Sequence, residues 1–151
     1  MVADPTLEKW VMWFENQDEK RYWKSVTCEQ HWENLIKQSD AFWPTFFQKI
    51  QNIMNTGKPA IFEGVNILPH LAAKDLTFSG IYLLGESLDA TFERNKKDPR
   101  WGRTEELQKK EAEMFFHCES EMYRKEAEKY GYKTFRDIVK AEQEILKLLA
   151  L

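Results

Sequence analysis

The chain holds no Gly-x-x-x-x-Gly-Lys-Ser/Thr loop, so the usual backbone cradle for nucleotide phosphates is missing from it. No apolar run approaches the roughly 20 residues of a membrane span, and Met1 to Pro5 do not read as the start of a signal peptide. Cysteine is scarce. Cys28 and Cys118 make no disulfide framework and fit a reducing compartment, so a cytoplasmic protein is expected. Positive charge is not in excess either: over 151 residues the formal net charge is −3, which argues against a broad nucleic-acid footprint and leaves any positive field local.

What the chain does have is an ordinary globular balance, 42% hydrophobic and 31% charged, in a length that suits one domain. Its aromatic load is heavy, with 6 Trp and 10 Phe. Trp10, Trp13, Phe14, Trp23, Trp32, Phe42, Trp43, Phe46 and Phe47 all precede residue 50. Packing between helices accounts for such a run; a substrate pocket or a subunit interface is the sharper alternative.

Periodicity predicts helices over 7–15 and from Glu19 to about Gln38, a break at Ser39-Asp40, and a further helix opened by Pro44 and stopped by Gly57. The character then changes. Ala60-Ile61-Phe62 and Gly80 to Gly85 read as short strands buried on both faces, with Tyr132 to Phe135 as a third. Between them lie a short helix near Pro69, a helix capped by Ser87, a loop around Asp98-Pro99 and Gly102, and a long helix from Thr104 to about Lys129. Gly131 stops that helix and Asp137 caps the last. Strands alternating with helices predict an α/β fold: a parallel sheet with flanking helices, the strands of Ile61 and Leu83 interior.

Glu63 sits at the C-terminal end of the first expected strand, where open α/β sheets place their ligands. A carboxylate there can hold a metal-bound water or take a proton from a substrate hydroxyl; its bland role is to cap a backbone group or pair with a lysine. Gly64 would let the backbone approach a ligand, or simply serve a turn. Arg94, Arg100 and Arg103 can clamp phosphate oxygens with bidentate guanidinium donors, and Lys96 and Lys97 add to the field; a solvated basic loop is the alternative. Trp101 can stack on a base or pack the loop, and His70 can touch substrate or lie at the surface. Cys28-x-x-His31 and His117-Cys118 are weak metal patterns, because adjacent helical positions diverge.

Lys58-Pro-Ala-Ile-Phe-Glu63-Gly64-Val-Asn66-Ile-Leu-Pro69 resembles the strand and following loop of P-loop kinases acting on small metabolites or nucleotides. Gly80 to Gly85 and Leu88 to Arg94 look like their next strand and the helix leading to the lid, Asn95 to Arg103 like the lid, and Lys133 to Val139 like the last strand before the closing helix. The resemblance implies a P-loop nucleoside triphosphate hydrolase-like domain that lacks its first strand, phosphate loop and first helix. In that reading residues 1–57 form a helical substrate-side region and 58–151 the kinase-like core, with a lid at about 94–104.

It also implies ATP and Mg²⁺ as cofactors, and roles for particular residues. Glu63, Arg94, Arg100 and Arg103 would be catalytic, with Glu63 reaching metal through water. Gly64, Lys97 and Trp101 would contact the cofactor, and Asn66, Pro69 and His70 the substrate. The implied function is an ATP-dependent phosphotransferase acting on a small metabolite or nucleotide and incomplete as this chain alone; the alternative is a non-catalytic kinase-like remnant that serves as a binding or interaction module. An exposed sheet side would recruit a second copy or another chain.

Overall fold

Thr27 starts the longest element. Its hydroxyl accepts from the Gln30 amide at 3.2 Å while the Gln30 side chain accepts from the Thr27 amide at 3.1 Å, a reciprocal cap on the orphan donors of a helix start. In the computed structural model, which describes residues 19–99 and 103–149, that cap follows α1 (Glu19–Ser25) and opens α2 (Cys28–Met54). The helix runs unbroken through Ser39-Asp40 and past Pro44, where the sequence predicts an interruption and a new start. His31, Trp32, Ser39, Trp43 and Ile50 are all buried along it, and this packing outweighs the single backbone hydrogen bond that Pro44 removes. Gly57, at φ +66, takes the left-handed conformation after the last turn. The expected helix at 7–15 lies outside the described residues, as do Arg100 and Trp101.

The remaining elements are α3 (Pro69–Asp75), β1 (Ile81–Leu83), α4 (Leu88–Lys97), α5 (Glu105–Met114), a π turn (Phe115–Glu119), α6 (Ser120–Lys129), β2 (Lys133–Phe135) and α7 (Ile138–Leu148). Their ends obey local chemistry. Pro69 sits in the first turn of α3; Ser87 and Thr104 accept from the amides of Ala90 and Leu107; Asp137 accepts from Val139 and Lys140; Gly131 turns at φ +79.

The fold class is corrected. The described residues are mostly helical, and their sheet has two strands, β1 parallel to β2 with Tyr82 opposite Thr134. It is not a P-loop-type parallel sheet flanked by helices. Residues 58–64 form no strand, so the resemblance fails at its first motif. Ile61 is 75% exposed and Leu83 is 54% exposed, so neither expected interior strand is interior. An apolar run satisfies its hydrogen bonds as a strand only with a neighbour beside it, and Pro59 has already removed one donor.

The core gathers Trp32, Trp43, Leu68, Leu71, Leu84 and Tyr123. Trp43 donates its indole N–H to Asp75 at 2.6 Å, tying α2 to the end of α3. Arg136, just after β2, donates to the Gly85 carbonyl and to Glu121 at 2.8 Å and lies over the Phe116 ring. Gly85 is closely surrounded: a Cβ there would meet Phe116 and Thr91 at 3.1 Å and Phe115 at 3.2 Å, tight enough that these side chains would have to shift. The end of the sheet is thus pressed onto the π turn. Among the described residues no helix is long and apolar enough to cross a membrane.

Candidate functional site

The apolar segments that fail to become interior strands line a cavity of about 970 Å³. Ala60 to Val65 form one wall and Ser79 to Leu83 another; Trp23, His31 and Leu35 contribute from the α1 and α2 side, Phe115 and Glu119 from the π turn, and Ile145, Leu148 and Leu149 from the end of the chain. Tyr123 holds the first wall in place, because its hydroxyl donates to the Val65 carbonyl while its ring packs edge-on against Trp32 at 5.0 Å. The lining is largely aromatic and aliphatic, as in most small-molecule sites.

Three of the sequence candidates meet at this cavity: Glu63, Gly64 and Arg94. Arg94 projects from the last turn of α4 and has no ion pair among the described residues. Gly64 is not in a left-handed conformation; a Cβ there would contact the Phe46 ring at 3.4 Å. The other candidates among the described residues lie elsewhere. Asn66 donates to Ser39 at 3.0 Å and Gln38 at 3.2 Å, a tether from the loop to α2. Pro69 is fully buried at the start of α3.

His70 is bonded through Nδ1 to Glu126 at 2.5 Å and faces Asp40 through Nε2 at 3.4 Å, joining α3 to α6 and α2. Lys97 is exposed in the last turn of α4, where cations complement the helix dipole, and Arg103 is exposed beside the Thr104 cap.

The polar end of the cavity was not foreseen. His31 is only 7% exposed, with Tyr22 Oη at 2.7 Å from Nδ1 and Glu119 Oε1 at 2.7 Å from Nε2. Burial pushes the Tyr22 phenol up to about 12, against a lowering hydrogen bond from Asn34, so the phenol keeps its proton. In the tautomer with the proton on Nε2, Nε2–H donates to Glu119 and the phenol donates to Nδ1. Tyr82 and Tyr132 on the cavity wall are also raised by burial and stay protonated, with neighbouring negative charge adding to the effect at Tyr82.

Beside this chain the structure joins Cys28 to Cys118 in a disulfide, correcting the expectation of an unpaired set and removing the ground for expecting a reducing compartment. The signal was present in two halves. Cys28-x-x-His31 and His117-Cys118-Glu119 each set a cysteine beside a polar partner, but uniting halves 90 residues apart takes the tertiary fold.

The fit to Mg-ATP is poor. Among the described residues Arg94 is the only Arg or Lys on the cavity, facing the carboxylates Glu63, Glu111 and Glu119, and no group of three or more His, Cys, Asp or Glu could hold a metal ion. A triphosphate would meet one cation and repulsion from the acids. No protein-family model, curated protein or solved structure matches the chain. The kinase resemblance accordingly rests on the residues that carry it.

Proposed function

We propose that the protein is a non-catalytic binding module for a small molecule with an aromatic body and a single anionic group. One observation carries this reading: a large apolar cavity walled by Phe62, Phe78, Phe115, Tyr82 and Tyr132 has Arg94 as its one Arg or Lys among the described residues. Burial of the aromatic body supplies the affinity, and the guanidinium selects the anion. The phosphotransferase reading draws on the same geometry, since Glu63 and Arg94 share the cavity, but Arg103, the other of its arginines among the described residues, does not line it.

The test is calorimetry with 8-anilino-1-naphthalenesulfonate, compared with neutral 1-anilinonaphthalene. One-to-one binding is expected for the sulfonate, weakened roughly five-fold in Arg94→Gln, equivalent to ~1 kcal/mol for a partly exposed charge-assisted contact. The neutral compound should bind both chains alike. Equal sulfonate binding by the variant, or no binding by the parent chain, would overturn the proposal.

A further inference from the structure

The disulfide and the polar end of the cavity are parts of one joint. Cys28 is the first residue of α2 and His31 follows one turn later; Cys118 lies inside the π turn and Glu119 is its last residue. Two links therefore bridge α2 and the π turn side by side, the covalent Cys28–Cys118 bond and the His31–Glu119 hydrogen bond at 2.7 Å. His31, Glu119 and Phe115 line the cavity, so the position of its wall depends on this joint. A π turn carries one residue more than the α-helical repeat allows, and such turns occur mostly at functional sites. Here it is flanked by α-helix on both sides, α5 before it and α6 after it.

We infer that the Cys28–Cys118 disulfide is a redox latch on the cavity, holding the π turn against α2 in the ligand-binding arrangement. The inference rests on the binding reading of the cavity. Cys28 is partly exposed, whereas Cys118 is 3% exposed, so an incoming thiolate has its access at Cys28 Sγ. Attack there by one thiolate of a dithiol breaks the S–S bond and forms a mixed disulfide, and Cys118 leaves as a thiolate that takes up a proton. The second thiolate of the dithiol closes its own ring and expels Cys28 as a thiolate, which the amides at the start of α2 favour. The dithiol is oxidised to a cyclic disulfide, and the protein gains two electrons and two protons. After reduction the covalent link is gone and non-covalent contacts remain across the joint, the His31–Glu119 hydrogen bond and the weak donation open to the Cys118 thiol, 3.3 Å from the Cys28 carbonyl. The π turn is then free to relax toward α-helical register, which moves Phe115 and Glu119 relative to the cavity.

The experiment is calorimetry with 8-anilino-1-naphthalenesulfonate on the oxidised chain, on the chain reduced with dithiothreitol, and on the same sample reoxidised. Circular dichroism accompanies each state. The expected result is one-to-one binding to the oxidised chain, affinity about ten-fold weaker on reduction with the helical spectrum kept, and recovery on reoxidation; ten-fold corresponds to a binding wall formed in about a tenth of the molecules. Cys28→Ser should match the reduced chain. Unchanged affinity on reduction would overturn the latch and leave the cavity reading standing. Loss of the helical spectrum on reduction would overturn it too, showing a structural staple instead. No binding by the oxidised chain would overturn the cavity reading and the latch with it.

Discussion

Replacing Asn66 with alanine separates a tether from a ligand contact. Its side-chain amide donates to Ser39 Oγ at 3.0 Å and Gln38 Oε1 at 3.2 Å, and Ser39 is fully buried on α2. Each hydrogen bond contributes about 1 kcal/mol net, and a buried hydroxyl deprived of its donor costs at least that much. Asn66→Ala should therefore destabilise the fold by about 2 kcal/mol. For a domain of this size that lowers Tm by roughly 4–8 °C. Urea unfolding followed by circular dichroism measures it directly. In a double-mutant cycle with Ser39→Ala, roughly 1 kcal/mol of the loss should be shared between the two positions. Because Asn66 does not line the cavity, affinity for the naphthalenesulfonate should be unchanged. Full stability combined with lost ligand binding would refute the reasoning and return Asn66 to the substrate role expected from sequence.

Acid should loosen the region around β2. The hydrogen bond from Arg124, with Arg136 nearby, holds the Glu121 carboxyl below the ordinary value of 4.5, and Lys133 does the same for Glu144. Folded values below the unfolded ones mean that this stabilisation is present above pH 4.5 and disappears as pH falls through the lowered values, so urea midpoints should drop on acidification and drop less in Glu144→Gln; equal drops would contradict it. Mg-ATP should bind weakly or not at all by calorimetry, and low-micromolar affinity would show a phosphate cradle that this account lacks. The two-stranded sheet and the exposed Ile61, Leu83 and Leu149 lead us to propose self-association; light scattering over a dilution series should show a dimer, and a monomer at micromolar concentration would count against it.

The sequence was most legible where structure follows from neighbours. The caps at Ser87, Thr104 and Asp137 and the stops at Gly57 and Gly131 depend on chemistry within a few residues, whereas the strands around Tyr82 and Thr134 form because each pairs with the other. Continuity of α2 past Pro44 depends on what buries Trp43 and Ser39, which no local pattern reports. The Ala60 to Phe62 run has the composition of a buried strand, yet a strand needs a partner, and here the run lines a cavity. The candidate site divides in the same way. Glu63 and Arg94 were found by residue type and reach the cavity, whereas the His31–Glu119 pair joins residues 88 apart and became visible only once α2 met the π turn.

Ligand occupancy of that cavity is reported most directly by isoleucine methyl shifts in NMR. Ile61, Ile67, Ile81 and Ile145 line the cavity, while Ile36, Ile50, Ile53 and Ile138 do not. On addition of 8-anilino-1-naphthalenesulfonate, the first four δ-methyl signals should shift together along one saturation curve and the second four should stay in place. Shifts confined to the exposed Ile53 or Ile138, or no coherent set of shifts, would contradict it.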